Sequence, residues 1–308
     1  MSKRRYLAQS AEALLVKTLA GLLSALPVRV ASRLGGGVAA AVGPLLPVSR
    51  KVGDANLRLA MPALSVAARR QIIRQVWKNL GQTIAELTNL KTMREQPAGN
   101  QQPGYTLQGW EEHAAPYLVP GKPAIFFTGH LANWEVMPLI AASHGLDFGF
   151  MYRAASNPLV DTTLKTLRQS GYEGPVKMFP KGAAGAKAAY AHLSRGGVLG
   201  LLVDQKLDTG LPVPFFGKTA MTMDALASFA LKFRCPVLPI HATRVGPGRL
   251  AAFCDPPLVL PQTGDKQADI LALTNDMNRT LERWIIAQPG DWLWLHRRWP
   301  RHTNAPKD

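Results

Sequence analysis

The spacing of apolar residues predicts helices in the first third of the chain. Between residues 64 and 90 the apolar positions recur every three or four residues: Ile73, Val76, Trp77, Leu80, Ile84, Leu87 and Leu90. This spacing places them along one side of a helix whose other side is polar. Residues 28–60 form shorter helical patterns, interrupted at "LGGG" and "GPLLP". The polar segment 95–104 then predicts a boundary between a helical region, 28–94, and a main domain, 105–308.

From residue 124 onward, short apolar runs alternate with helical patterns. The runs of strand length cover residues 124–128, 148–153, 175–179, 198–204, 236–245 and 249–254. The helical patterns cover residues 133–145, 158–171, 182–197, 224–234 and 267–289. Strands and helices in alternation form the βαβ units of parallel sheets. The chain is therefore expected to fold as an α/β protein with a mainly parallel or mixed central sheet flanked by helices.

The N-terminus combines basic residues with an apolar stretch. The tripeptide "KRR" at residues 3–5 precedes an apolar stretch, residues 11–27, that Glu12 and Lys17 interrupt. A spanning helix needs ~20 apolar residues, and no small-residue cleavage pattern of a signal peptide is clear. We expect residues 1–27 to form an uncleaved helical anchor that lies on or dips into a membrane, with its basic flank on the cytoplasmic side. The alternative is a helix that only caps the domain.

The overall charge narrows the range of partners. The 308 residues include 36 Lys and Arg against 20 Asp and Glu, a net charge of +16, which favours an acidic partner. Nucleic acid is disfavoured, because no helix-turn-helix or RNA-recognition signature is present and aromatic residues do not alternate with the basic ones. The two cysteines, Cys235 and Cys254, have no metal-type spacing and are expected to be reduced.

The segment "FFTGHLANWE", residues 126–135, places a histidine and a glutamate directly after a strand-like run. In proteins with an α/β sheet, active sites usually lie at the carboxyl ends of the strands. His130 and Glu135 would lie ~140° apart on one continuous helix. They can meet if a helix begins between them, near Ala132 or Asn133. The carboxylate would then orient the imidazole, and the imidazole would take a proton from a hydroxyl group of a substrate.

Other interpretations of this pair remain open. Glu135 can favour a helix N-terminus electrostatically, worth ~0.3–1 kcal/mol, and His130 can be a structural histidine. A zinc site is disfavoured, because the HExxH pattern and a Cys/His cluster are absent from the sequence. A membrane scaffold without catalytic activity is the remaining alternative from a different functional class.

Five segments, in order along the chain, resemble one known family. They are "GHLANWE" (129–135), "MYRAASNPLVD" (151–161), "LLVDQK" (201–206), "VPFFGKTAMT" (213–222) and "WLWLHRRW" (292–299). The first resembles the His-x-x-x-x-Asp/Glu box of the lysophospholipid acyltransferase-like superfamily. Together the five are similar to the lipid A biosynthesis acyltransferases, the lauroyl and myristoyl transferases of Gram-negative bacteria.

The resemblance implies an acyl-thioester-dependent O-acyltransferase that uses no metal and no organic cofactor. Its acyl donor is usually acyl carrier protein, and its acceptor is a hydroxyl group of a lipid A precursor at the cytoplasmic face of the inner membrane. An acidic carrier protein and an anionic membrane surface would both attract a chain with this positive charge. The alternative within the same fold is another lipid acceptor, such as a lysophospholipid, an aminolipid or a glycolipid.

The resemblance also implies roles for individual residues. His130 is the expected general base, and Glu135 is the carboxylate expected to orient it. Arg153 is expected to contact a substrate phosphate or to stabilise the developing oxyanion. Further expected substrate-binding or site-supporting residues are Asn157, Asp204, Gln205 and Lys218. Anion contacts are expected from Arg168, Arg297 and Arg298, with a solvated basic face as the alternative. Asn157 can instead cap the helix that follows it, and Lys218 can belong to a plain turn.

Overall fold

Ten α-helices lie within residues 3–172, 174 and 176–300, which are the residues that this computed structural model describes. The helices are α1 (Lys3–Ser24), α2 (Val28–Val42), α3 (Pro47–Ala60), α4 (Val66–Leu87), α5 (Trp110–His113), α6 (Val136–Ser143), α7 (Pro158–Gly171), α8 (Ala183–Ser194), α9 (Ala225–Phe233) and α10 (Lys266–Ala287). Short 3₁₀ turns cover Gly43–Leu45, Leu90–Thr92, Ala115–Tyr117 and Pro289–Asp291.

Eight of the ten described strands form one mixed sheet. The strands are β1 (Arg94–Glu95), β2 (Gly104–Gln108), β3 (Ala124–Thr128), β4 (Phe148–Tyr152), β5 (Lys177–Pro180), β6 (Val198–Leu202), β7 (Leu211–Phe215), β8 (Lys218–Thr222), β9 (Val237–Gly246) and β10 (Arg249–Cys254). The order in the sheet is β1-β2-β10-β9-β3-β6-β4-β5, and β7 and β8 form a separate hairpin. Strands β9, β3, β6, β4 and β5 are parallel, and β10 is antiparallel to β9. The predicted α/β class with a mixed central sheet is confirmed.

Both faces of the sheet are buried, and the side chains of β3 show the expected alternation. Ile125 and Phe127 belong to one core cluster, which also contains Leu281 of α10. Ala124 and Phe126 belong to a second cluster on the other face. Helices α9 and α10 contribute to the first cluster and α6 to the second. Every residue of β3 is buried, so packing on both faces of the sheet fixes the position of its carboxyl end, where the candidate site lies.

Several element boundaries differ from those predicted. Helix α6 begins at Val136, so Glu135 is its N-cap residue and does not lie in its first turn. The expectation of a helix start near Ala132 or Asn133 is wrong, because Ala132 adopts a left-handed conformation with φ of 45° that cannot continue into a helix. The predicted strand 175–179 begins at a residue outside the described ones. Strands β1 and β2 and the β7–β8 hairpin were not predicted.

The predicted domain boundaries remain predictions. Their outermost residues, 1–2 and 301–308, lie outside the described part of the chain. Within it, the helical region is joined closely to the rest, since buried hydrogen bonds run from α4 to the segment after β3 and to the β9–β10 turn.

Helices α2 and α4 approach each other through a glycine on each. A Cβ atom placed on Gly81 would lie 2.2 Å from the carbonyl oxygen of Gly35, well inside the van der Waals contact distance. Gly37, in the same helix as Gly35, has no neighbouring atom within 4 Å of such a Cβ. The close packing of the two helices therefore depends on Gly35 and Gly81 and not on Gly37.

We expect Gly81→Ala to lower the free energy of unfolding by about 1–3 kcal/mol, because the added methyl group forces the two helices apart. Gly37→Ala is the matched control and is expected to raise the free energy of unfolding by about 0.5–1 kcal/mol, because alanine is more favourable than glycine in a helix interior. Urea denaturation of the two variants and the wild type measures both changes. Equal effects of the two substitutions would contradict the close crossing.

Candidate active site

Strand pairing brings a histidine and an aspartate together at the carboxyl edge of the sheet. β3 and β6 are neighbouring parallel strands, and Thr128 pairs with Leu202 at their ends. His130 lies two residues beyond Thr128, and Asp204 lies two residues beyond Leu202. Their side chains meet there, with 2.7 Å between His130 Nδ1 and Asp204 Oδ1.

The Asp204 carboxylate is fully buried and accepts three hydrogen bonds. Oδ1 accepts from His130 Nδ1, while Oδ2 accepts from the His130 backbone N–H at 2.8 Å and from Trp292 Nε1 at 2.7 Å. Burial on its own would raise the pKa of the Asp204 carboxyl, but its interactions with the ring and the backbone N–H of His130 outweigh burial and hold that pKa below its ordinary value. Asp204 is therefore ionised at neutral pH, and the stability that it contributes is lost only as the pH falls through its lowered pKa.

The network assigns the tautomer of His130. Because an ionised carboxylate can only accept, Nδ1 carries a hydrogen, and in the neutral ring this leaves the lone pair on Nε2. Gln205 Nε2 lies 3.3 Å from His130 Nε2 and donates to it. The imidazole side chain is 12% exposed and borders a cavity. In its neutral form the imidazole can therefore accept a proton at Nε2 from a molecule in that cavity.

A second histidine lies behind the pair. The His296 ring is 6.1 Å from the His130 ring and 5.4 Å from the Trp292 ring, between ring centroids. Neither of its ring nitrogens has a hydrogen-bond partner among the described residues. Burial lowers the pKa of His296, so the ring is neutral at neutral pH and adds no positive charge beside His130.

The expectation that Glu135 orients His130 is wrong, because the Glu135 carboxylate pairs with Arg168 of α7. Arg168 Nε donates to Glu135 Oε2 at 2.8 Å, and Arg168 Nη2 donates to Glu135 Oε1 at 2.6 Å. This two-point contact fixes both side chains in one plane. The partner of His130 is Asp204, which is 74 residues away in the sequence. Glu135 nevertheless lines the same cavity as His130, and so does Arg168.

The cavity has a volume of about 250 Å³ and lies at the carboxyl ends of β3, β4 and β6. Most of its wall is apolar, with aromatic side chains from Trp110, Phe126, Phe148 and Phe150. Its polar groups are few and include His130, Glu135, Arg153 and Arg168. An apolar cavity with a few charged groups near a base suits a ligand that has a hydrocarbon part and a polar reacting group.

The remaining predicted residues divide between the cavity and other places. Arg153 is exposed and lines the cavity. Asn157 caps α7, since its Oδ1 accepts from Leu159 N at 3.0 Å, and its Nδ2 donates to Gln9 O and to Glu12 in α1. Asn157 thus acts as the N-cap of α7, which was the alternative interpretation. Its two bonds to α1 attach that helix to α7. Lys218 is exposed at the start of β8 and does not line the cavity.

The near-terminal segment 292–299 supports the site from below. Trp292 donates to Asp204, as described above, and the buried Arg298 donates to Met221 O and Thr222 Oγ1 in β8. Its guanidinium also lies over the Phe215 ring. The expectation that Arg298 contacts an anion is therefore wrong, because its hydrogen bonds attach the chain end to the β7–β8 hairpin. That hairpin turns at Phe216 and Gly217, both with positive φ.

No group of three or more His, Cys, Asp or Glu side chains among the described residues is arranged to hold a metal ion. The cationic residues that line the cavity and can bind an anionic ligand are Arg153 and Arg168.

The fold and the site define an α/β enzyme that has a His–Asp pair at the edge of its sheet, beside an apolar cavity. The sequence matches the bacterial lipid A biosynthesis acyltransferase family over residues 2–301, which is nearly the whole chain. The protein belongs to this family and is an acyltransferase of lipid A biosynthesis. No curated protein matches the chain significantly.

The hydrogen bonds of His130 predict unequal effects of two substitutions. Asp204→Asn is expected to lower kcat roughly 10⁴-fold, because the amide no longer stabilises the required tautomer or the imidazolium. Glu135→Gln keeps the partner of His130 and is expected to cost clearly less. Steady-state kinetics with both variants, checked for folding by circular dichroism, measures the difference. A larger loss in Glu135→Gln than in Asp204→Asn would remove Asp204 from the role of orienting residue.

Proposed function

We propose that the protein transfers a fatty acyl chain from a thioester of acyl carrier protein to a hydroxyl group of a lipid A precursor, at the cytoplasmic face of the inner membrane. The observation that carries this proposal is the 2.7 Å contact between His130 and the buried Asp204, beside an apolar cavity of about 250 Å³. A base at this position, next to space for a hydrocarbon chain, is what acyl transfer to an alcohol requires.

The proposed reaction begins with the acceptor hydroxyl group at His130 Nε2, in place of the Gln205 amide. Nε2 takes the proton while the oxygen attacks the thioester carbonyl carbon, and a tetrahedral oxyanion forms. When this intermediate collapses, the carbon–sulfur bond breaks and the departing thiolate receives the proton from the imidazolium. Asp204 stabilises the imidazolium through Nδ1 and remains ionised throughout, as its lowered pKa supports.

Two arginines supply positive charge in the cavity. Arg168 is held by Glu135 through its Nε and Nη2 atoms, so its Nη1 donors remain for a ligand. Arg153 is exposed, and its side chain is free to meet a group that arrives from solvent. Either cation can stabilise the oxyanion of the intermediate, a contribution worth about 2.7–4 kcal/mol for one donor in other enzymes. Glu135 would thus serve the reaction by positioning Arg168.

An exposed apolar surface supports the proposed membrane location. On α2, Val30, Leu34, Val38 and Val42 are exposed at every fourth position, and so share one side of the helix. The exposed apolar residues that follow α2 directly in the chain are Leu45, Leu46 and Val48, and those of α1 are Tyr6, Leu7, Leu14, Leu15, Leu19 and Leu22. Arg33, Arg50 and Lys51 are exposed within the same segments. Apolar side chains flanked by cations suit binding at an anionic lipid surface.

Helix α1 itself is attached to the domain. Ala13 is buried, and the Asn157 side chain donates to Gln9 O at 2.8 Å. No helix within the described residues is both long and apolar enough to cross a bilayer. We therefore propose that α1 and the surface formed by α2 and residues 45–48 lie on the membrane together.

Lipid analysis of a deletion strain tests the proposed function. Complementation with the wild-type gene is expected to restore one acyl chain to lipid A, seen by mass spectrometry as the mass of that chain. His130→Ala is expected to restore none, because the base is missing, although the protein is folded and present at normal level. A restored chain with His130→Ala would contradict the proposed base. A mass change confined to another lipid class would contradict the proposed acceptor.

Vesicle binding tests the proposed surface. Val38→Glu and Leu45→Glu are each expected to weaken binding to vesicles with anionic phospholipid at least about tenfold, since burying such a side chain contributes about 1.5–3 kcal/mol. Val259→Glu is the matched control, because Val259 is 83% exposed but lies outside the surface. Co-sedimentation measures the affinities, and an equal loss with Val259→Glu would contradict the proposal.

A further inference from the structure

A buried carboxylate in α4 receives hydrogen bonds from four residues in three parts of the chain. Glu86 is fully buried, and its Oε1 accepts from Ser32 Oγ at 2.6 Å and from Gly248 N at 3.0 Å. Arg244 donates through Nη1 to Oε1 at 2.5 Å and through Nη2 to Oε2 at 3.0 Å. Asn133 Nδ2 donates to Oε2 at 2.8 Å. We call these five residues the Glu86 cluster.

The Glu86 cluster joins the helical region to the segment that follows β3. Ser32 lies in α2, Glu86 in α4, Arg244 near the end of β9, and Gly248 in the β9–β10 turn. Asn133 lies between His130 and Glu135, and its Oδ1 accepts from the backbone N–H of Glu135 at 3.1 Å. The fully buried side chain of Asn133 therefore joins two helices: its Nδ2 donates to Glu86 of α4, and its Oδ1 accepts from the residue that precedes α6.

The backbone between His130 and Asn133 is strained. Ala132 is buried and has a φ of 45°, a conformation that costs a non-glycine residue free energy and persists only where surrounding contacts hold it. Two of those contacts are direct: Thr83 Oγ1 of α4 donates to Ala132 O at 2.8 Å, and Ala132 N donates to Asp291 O at 2.8 Å. The strained turn is thus held by one hydrogen bond from α4 and by a second hydrogen bond to the segment before Trp292.

We propose that Glu86, acting through Asn133, is a positioning residue for the turn that carries His130 and Glu135. The carboxylate accepts the Asn133 amide and, with Thr83, keeps the turn in its strained form. The imidazole of His130 then remains hydrogen-bonded to Asp204, and Glu135 remains paired with Arg168. This inference rests on the proposed function only where turnover is the readout.

Two of the donors to Glu86 form a matched pair for the test. Asn133→Ala and Ser32→Ala each remove one donor from the same carboxylate, but only Asn133 belongs to the turn. Both variants are expected to show a similar fall in the urea midpoint. Asn133→Ala is expected to lower kcat about 10- to 100-fold with KM nearly unchanged, because small misplacements of reacting groups have effects of this size. Ser32→Ala is expected to keep wild-type kcat.

A second pair covers the case in which Asn133→Ala does not fold. Thr83→Val removes the hydroxyl group that holds Ala132 O, with little change in shape, and is expected to lower kcat in the same way. Thr83→Ser keeps the hydroxyl group and is expected to restore it. Full kcat in folded Asn133→Ala or Thr83→Val, or an equal loss of kcat in Ser32→Ala, would overturn the proposal.

Amide hydrogen exchange separates this inference from the proposed function. The Ala132 N–H is expected to exchange at least tenfold faster in Asn133→Ala than in wild type, and at the wild-type rate in Ser32→Ala. Unchanged exchange in Asn133→Ala would overturn the positioning role. If the wild-type protein did not transfer acyl chains from acyl carrier protein, the proposed function would fail while this result still decided the inference.

Discussion

The parallel pairing of β3 with β6 is the constraint on which the site depends. Its register sets Thr128 against Leu202, so that the residues two positions further along each strand, His130 and Asp204, meet at the same edge. Asp204 has no exposed surface, and a carboxylate in such a place is stable only with its hydrogen bonds satisfied. The imidazole, the His130 backbone and Trp292 satisfy it together. A one-residue slip in the pairing would turn these side chains to opposite faces and break all three contacts.

Charge in the site is arranged as two separate pairs, and this separation gives each acid a different function. Asp204 bonds the base, while Glu135 bonds the guanidinium of Arg168. Breaking either pair would leave an uncompensated charge in a largely apolar wall, which is more costly than breaking a surface pair. The turn between the two pairs is held from α4 by Thr83 and by Glu86 through Asn133. The helical region therefore contributes to the geometry of the site and does more than cover the sheet.

Much of the fold could be predicted from the sequence, because alternation of short apolar runs with helical patterns depends on local spacing. The site could be predicted only in part. The "GHLANWE" segment singled out His130 and Glu135, which do line one cavity, but it suggested a local pairing between them. The actual partner, Asp204, follows strand β6 and lies 74 residues away, and the order of strands in a sheet cannot be read from local spacing. A useful signal was present, since "FFTGH" and "LLVD" both end a buried strand with a polar side chain. The strained Ala132 and its supports in α4 had no such signal, because they depend on tertiary contacts.

His130 donates its Nδ1 hydrogen to Asp204, so that in the neutral ring Nε2 holds the lone pair of the base. Nitrogen-15 NMR of protein labelled at histidine tests this most directly, because the two ring nitrogens have distinct shifts in each tautomer. We predict that wild type and Glu135→Gln both show the Nδ1-protonated tautomer once the His130 ring is neutral, and that Asp204→Asn loses this signature. A His130 signal that changes in Glu135→Gln and is unaffected in Asp204→Asn would contradict it.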